Sequence, residues 1–338
     1  MLEIIKHGLE TTVQELPGRI GFWEQGFPPS GPADAWSFRL ANLLVGNHRD
    51  MAALEWQFVG PTVRFHRDAA VALTGADVIA KLDAAVVPMW QTIRVRAGQT
   101  LTIAAAKTGA RGYVAVSGGI GSESVLGSRA TFHMAGIGGV GKGGLKAGDR
   151  LELGDASMPA RNWLAPEPIR PMISAPNAAP TEAERIAAVP GPNDAWLDPE
   201  SIAMFFDSEW TVSTLSNRTG LRLSGPAFTF SRLAHEKPVE HGSEPSNLLD
   251  HGYPLGGISI AGQTPIVFIH DSPSAGGFIV PFTVPRFDLW RLGQARPHAK
   301  LRFRRVSLND ANEGRRRLDQ LCSAASLVEL DAVRAINA

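Results

Sequence analysis

The chain has 338 residues, 44% of them hydrophobic, and its 33 lysines and arginines balance 33 aspartates and glutamates. That length exceeds what one core usually serves, so two domains are expected, and the even charge gives no sign of nucleic acid, an anionic membrane or a polyanionic substrate as partner. A single cysteine, Cys322, leaves no internal disulfide and no thiol-based metal site, and without an 18-residue apolar stretch or a signal-peptide pattern a cytoplasmic protein is expected.

Glycine (35) and proline (24) fall at short intervals between β-rich runs, which predicts many short strands joined by tight turns. Near the start come two polar segments, Gly8 to Gln14 and Pro28 to Asp34. The segment Pro32 to Gly46 reads as a buried helix with proline in its first turn and glycine at its end, and its polar members Arg39 and Asn42 share a face. Strands are expected at Thr62 to Phe65, Ala70 to Thr74, Gln91 to Val95, Thr100 to Ala104 and Tyr113 to Val116. The Ala/Pro-rich stretch 156–192 reads as a linker with a short helical piece around Thr181 to Ala188.

Beyond it, Asp198-Pro199-Glu200 opens a helix with a capping aspartate, and strands are expected at Thr211 to Ser213, Leu221 to Leu223, Gly257 to Ile260 and Ile266 to Ile269. Further helices are expected at Phe287 to Gln294 and near the C-terminus, where Leu318, Leu321, Ala325 and Val328 recur at helical spacing. Similar turn-to-strand units follow Arg96, Lys146 and Arg296, which hints at a duplicated barrel. The expected division is a first domain over 1–155, a linker over 156–192, a second domain over 193–306 and a C-terminal helix over 307–338.

The segment Gly136 to Gly143 imitates two phosphate-binding patterns and satisfies neither. Gly143 stands where a P-loop needs serine or threonine for magnesium, and another turn follows where a dinucleotide fold needs a helix. A flexible loop is the better reading, and no nucleotide is expected on this chain. The nine histidines lack metal-ligand spacing, so no metal is expected, and no nucleophile elbow is present.

The most informative segment is Asp271 to Phe278, a polar turn holding Ser272, Ser274 and the pair Gly276-Gly277 between two apolar runs. Adjacent glycines admit close approach and leave backbone N–H groups available to a ligand. Together with Asn217, Arg218 and the small-polar Ser246-Asn247, it suggests a site of backbone donors, hydroxyls, amides and arginine. The catalytic candidates are Asn217, Arg218, Asp271, Ser274, Gly276 and Gly277. The substrate-binding candidates are Thr12, Gln14, Ser30, Gly31, Asp34, Asn42, Ser246 and Asn247.

Several of these segments lie in longer ones, Ser30 to Asp34, Leu40 to Asn47, Asn217 to Pro226 and Asp288 to Gln294, through which the chain resembles the biotin-dependent carboxyltransferase family, often labelled the second subunit of allophanate hydrolase. The resemblance implies a mainly β fold of two cyclophilin-like β-barrel domains with a few short helices. It implies a hetero-oligomer with a companion first-subunit protein, and biotin carried on a separate biotin carboxylase or carrier component. Carboxyl transfer from biotin calls for preorganised donors where charge grows on the ureido oxygen, which suits the residue types above.

Many family members, including a subunit of the ATP-dependent 5-oxoprolinase, carry Thr-Thr-Gly-Gly-Tyr-Pro-Lys where this chain has Pro273 to Val280. The form found here looks like the carboxyltransferase region of urea carboxylase, so a small urea-like or amide-bearing acceptor is expected. A subunit of an ATP-dependent amide or lactam hydrolase is the second reading, and a regulatory protein antagonising a kinase inhibitor the third.

Overall fold

The computed structural model describes residues 1–140, 143–155, 161–174, 180–181 and 184–330. Two compact units emerge: Met1–Ile20, Pro29–Ile173 and Arg317–Ala338 form the first, while Gly21–Pro28 and Ser174–Arg316 form the second. This differs from the sequence-based division. The first unit runs past 155, takes back the end of the chain, and gives up eight early residues.

The first unit packs two antiparallel sheets. The seven-stranded sheet runs Ile120–Gly121, Arg150–Leu153, Leu2–Lys6, Thr62–Phe65, Thr100–Ile103, Ala80–Leu82, Ala85–Val87, and the five-stranded one runs Thr12–Gln14, Ala53–Gln57, Thr108–Val116, Ala69–Asp77, Ile93–Val95. Alternation along the strands decides what each sheet face meets. Leu54, Trp56, Val71, Leu73, Val114 and Val116 point into the main core with Leu2, Ile4, Val63 and Phe65 of the other sheet. Their neighbours Ala53, Ala70, Ala72 and Ala115 are small and pack on the helix Ala35–Leu44 through Phe38, Leu40 and Leu44. Glu55, Thr74 and Tyr113 share that helix side and are buried. Polar groups therefore meet the N-terminal end of a helix inside the unit.

The helix begins later than its sequence suggests. Asp34 caps it, accepting from Ser37 N at 2.9 Å, and Pro32 lies two residues before the cap instead of in the first turn. Arg39 and Asn42 do share a face and do meet polar partners. Arg39 pairs with Asp50 at 3.0 Å and Asp319 at 3.4 Å, while the Asn42 amide donates to Met51 O and accepts from Asn47.

In the second unit an eight-stranded sheet runs Lys300–Leu301, Trp210–Val212, Gly220–Ser224, Thr264–Phe268, Gly257–Ala261, Phe282–Thr283, Ile186–Pro190, Phe303–Arg305. Its pairs are antiparallel except the last, where Ile186–Pro190 lies parallel to Phe303–Arg305. The helix Pro199–Asp207, capped by Asp198 as expected, drives Phe205 into the core, where its ring stacks on Phe282 at 4.2 Å and Phe303 at 4.7 Å. The fold class is the expected one, mainly β and barrel-like with few helices.

Three local expectations need correction. The supposed linker contributes the strands Trp163–Leu164 and Ile186–Pro190, the latter taking over only 186–188 of the helical piece expected around Thr181 to Ala188, while Glu184 N donates to Thr181 O at 3.0 Å as in a single helical turn; residues 182–183 lie outside the described residues. The C-terminal helix is Leu308–Leu321, and Val328–Glu329 forms a strand against Trp163–Leu164, so Ala325 and Val328 are not on it. Finally, Ala275–Phe278 is a strand paired with Asn247–Gly252, not part of an open turn.

Candidate functional site

The candidate residues fall in both units, and each group is built differently. In the first unit Gln14 is the organiser, its amide oxygen accepting from Gly31 N at 3.0 Å and its nitrogen donating to Thr12 Oγ1 at 3.0 Å and Thr131 O at 3.2 Å. Ser30 and Gly31 both sit at positive φ, +57° and +95°, which turns the chain sharply before the helix. Past Pro32, Ala33 N donates to Glu55 Oε2 at 2.7 Å and Asp34 N to the Tyr113 hydroxyl at 2.7 Å. Strands Thr12–Gln14, Ala53–Gln57 and Thr108–Val116 each thus hold one N–H of the segment 29–34. The loop is preorganised by side chains of the sheet below it.

Glu55 is also 3.5 Å from Arg111. Burial, then Glu55 and Asp34, push the Tyr113 hydroxyl well above its ordinary value of 10.0, so it stays a donor to Glu55. Ser30 Oγ and Thr131 Oγ1 are buried without a hydrogen-bond partner. The described part of the glycine-rich segment is pinned over Thr131, with Gly139 N donating to Arg129 O at 2.8 Å, and a Cβ on Gly138 would lie 2.1 Å from Ala130 O. Gly141 and Lys142 lie outside the described residues.

In the second unit Arg218 Nε donates to Asp271 Oδ2 at 2.9 Å, and Asp271 N donates back to Arg218 O at 3.0 Å. The two side chains are 8% and 2% exposed, so this is a buried ion pair. Asp271 Oδ1 and Ser272 Oγ, one residue further, are buried with no hydrogen-bond partner. Asn217 is close in sequence yet employed locally, its side-chain oxygen accepting from Thr219 N at 2.9 Å and Gly220 N at 3.4 Å. Such a turn sets the direction in which Arg218 leaves the strand end.

Ser246, Asn247, Ser274, Gly276 and Gly277 belong to a ribbon beside the barrel. Ser246 Oγ accepts from Gly262 N at 3.0 Å, and Asn247 opens the strand paired with Ala275–Phe278. Neither Gly276 nor Gly277 has a left-handed φ, so neither is glycine for backbone freedom. A Cβ on Gly276 would lie 2.5 Å from the Tyr253 ring, whereas one on Gly277 would meet Leu248 O at 3.1 Å and Asp250 Oδ1 at 3.2 Å. The close approach inferred for a ligand at Gly276 is taken by a side chain of the protein.

Sequence reasoning passed over Glu55, Arg111, Tyr113 and Tyr253. Isolated charges inside apolar strands, as in Leu54-Glu55-Trp56 and Gly109 to Val116, are the signal that was present. Among the described residues no group of three or more histidine, cysteine, aspartate or glutamate side chains is placed to hold a metal ion, and no helix is long and apolar enough to cross a membrane.

Comparison with known proteins extends this geometry. The family described as carboxyltransferase domain, subdomain A and B, matches residues 25–305. Urea amidolyase of Saccharomyces cerevisiae is 38% identical over 304 residues, covering 89% of this chain but 16% of the yeast protein, so the chain spans a small part of that relative. A 5-oxoprolinase subunit of Escherichia coli is 34% identical over 317 residues and is covered over 94% of its length. In the crystal structure of Kluyveromyces lactis urea carboxylase, a region 35% identical superposes with a TM-score of 0.86, covering 97% of this chain and 30% of that one.

Proposed function

The chain belongs to the carboxyltransferase domain family, subdomains A and B, and from that premise we propose that it transfers a carboxyl group from biotin to a small acceptor in which an N–H stands beside a C=O, as in urea or an amide. The observation that carries this reading is the pair of unpartnered buried atoms, Asp271 Oδ1 and Ser272 Oγ, next to the Arg218–Asp271 ion pair. A buried polar atom without a partner costs about 1–3 kcal/mol, and a ligand that satisfies it recovers that cost. A carboxylate oxygen accepts from N–H, and a hydroxyl donates to C=O. Adjacent in the chain, the two suit a urea-like group better than a carboxylate, which Asp271 would repel.

Biotin, carried on a separate protein, would supply the carboxyl group, and its ureido ring offers the same N–H beside C=O. Arg218 holds the Asp271 carboxylate oriented through its Nε, so that Asp271 Oδ1 can keep the reacting N–H in place. Ser272 Oγ is a buried hydroxyl without a partner, next in the chain to Asp271, and can donate to an oxygen on which charge grows. The preorganised loop 29–34 is a separate set of polar groups within the first unit, with Ser30 the member whose hydroxyl is unpartnered. We further propose that the chain works with a first-subunit-type companion, since relatives carry this region within a longer chain or as a subunit by name.

One observation favours a second reading. The chain spans 94% of the Escherichia coli 5-oxoprolinase subunit, and a match of that extent is what a component of an ATP-dependent lactam hydrolase would give. Co-expression with a first-subunit-type protein and a biotin carboxylase with its carrier separates the two. ATP turnover stimulated by urea or a small amide, and lost when the carrier lacks biotin, is expected. Ring opening of 5-oxoproline without biotin would replace this reading with the second.

A further inference from the structure

We propose that Tyr253 is the positioning residue for the segment Ser274–Phe278, and that Gly276 is a glycine to make room for its ring. Tyr253 touches that segment three ways. Its backbone N–H donates to Ser274 O at 2.8 Å, its hydroxyl accepts from Phe278 N at 2.8 Å, and its ring occupies the space a Cβ on Gly276 would need, 2.5 Å from Cε2 and 2.6 Å from the hydroxyl oxygen.

The ring is itself immobilised. Tyr253 is 5% exposed, stacks on Phe268 at 4.7 Å and meets His251 edge-on at 5.2 Å. His251 Nε2 donates to Phe278 O at 3.0 Å, so side chains take both backbone polar groups of Phe278. The reason lies in the register. Asn247 faces Phe278 and His251 faces Gly276, so four steps on one strand answer two on the other, and the ladder is interrupted between them. A two-stranded ribbon is marginally stable by itself, and this one has lost part of its backbone pairing. Tyr253 and His251 restore with side chains what the bulge removes.

This inference rests on the reading that Ser274–Phe278 borders the site, but its test does not need turnover. Tyr253→Phe removes the hydroxyl and keeps the ring. Hydrogen exchange at Phe278 N–H should then accelerate roughly 3- to 10-fold, with exchange in the barrel strands and the melting temperature nearly unchanged. In the assembled enzyme the loss should fall on kcat more than on KM. A second pair of variants tests the ring: Gly276→Ala should cost clearly less stability in a Tyr253→Leu background than in the wild-type one, because the flat ring is what it collides with. Unchanged exchange at Phe278, or equal costs in the two backgrounds, overturns the proposal. Faster exchange in an assembly that carboxylates nothing would leave Tyr253 as the clasp and refute the carboxyl-transfer reading instead.

Discussion

The Tyr113 hydroxyl donates to Glu55 Oε2 at 2.8 Å, and that same oxygen accepts Ala33 N–H at 2.7 Å. A phenol and a carboxylate on neighbouring strands thereby hold the entrance to the helix Ala35–Leu44. Phenylalanine at 113 would keep the volume and leave Asp34 N and Glu55 Oε2 each short of one partner, a cost of about 1–3 kcal/mol.

The pH dependence of that cost is specific. The folded Tyr113 holds its proton well above 10.0, while the unfolded residue releases it near that value. Above about pH 10 the unfolded state therefore binds fewer protons, and stability falls as pH rises. The contribution is fully present below pH 10 and is lost above it. Denaturant unfolding of wild type and Tyr113→Phe from pH 8 to 11 should show their stability difference shrinking only at the alkaline end; a constant difference would show that the phenol ionises as it does when exposed.

Ser272→Ala separates stability from function. Its hydroxyl is buried and unpartnered, so removing it should leave the melting temperature unchanged or raise it, by up to about 1 kcal/mol of stability. Turnover of the assembled enzyme should fall by about tenfold or more, the price of one transition-state donor. A destabilised variant with full activity would place Ser272 in the framework.

Gly276 and Gly277 should respond differently to alanine. At Gly276 the new carbon meets an aromatic ring that cannot retreat, which is overpacking worth about 1–3 kcal/mol. At Gly277 it meets Leu248 O and Asp250 Oδ1 just inside normal contact, on a half-exposed strand that can shift by tenths of an ångström. Thermal unfolding should rank Gly276→Ala well below Gly277→Ala, and the reverse order would contradict the ring contact.

Cys322 should be inert in the folded protein. Burial pushes its thiol up to about 12 from an ordinary 9.0, so at neutral pH almost no thiolate exists to react. Labelling with a thiol reagent at pH 8 should be slow and should speed up with denaturant in step with unfolding. Fast native-state labelling would show local opening of the segment after the helix Leu308–Leu321.

Local signals carried much of the fold. Asp198 before Pro199 reads as a cap and is one, and alternation between branched residues and turns locates Thr62–Phe65 to the residue. What stayed hidden depends on partners far along the chain. Ile186–Pro190 is a strand because Phe303–Arg305 lies beside it, and Gly276 is glycine because of Tyr253. Glu55 and Tyr113 are apart in sequence and matter only as a pair. At the candidate site, Arg218 and Asp271 could be picked by residue type, but their contact, and the idle oxygen it leaves on Asp271, required coordinates.

The interleaving of the two units governs the order in which the polypeptide can finish folding. Emerging from the ribosome, the first unit has its sheets and helix by residue 155, yet Trp163–Leu164 must wait for Val328–Glu329, more than 160 residues later, to be paired. Until then a strand edge with two half-buried hydrophobic residues stays uncovered, the kind of edge that recruits other nascent chains. The second unit meanwhile needs Gly21–Pro28, made long before the rest of it. The second unit has all its residues once Arg316 is made, ahead of the first, which still waits for the segment from Arg317 onward, and cutting the gene near residue 175 would yield two pieces that each lack a segment of their own unit.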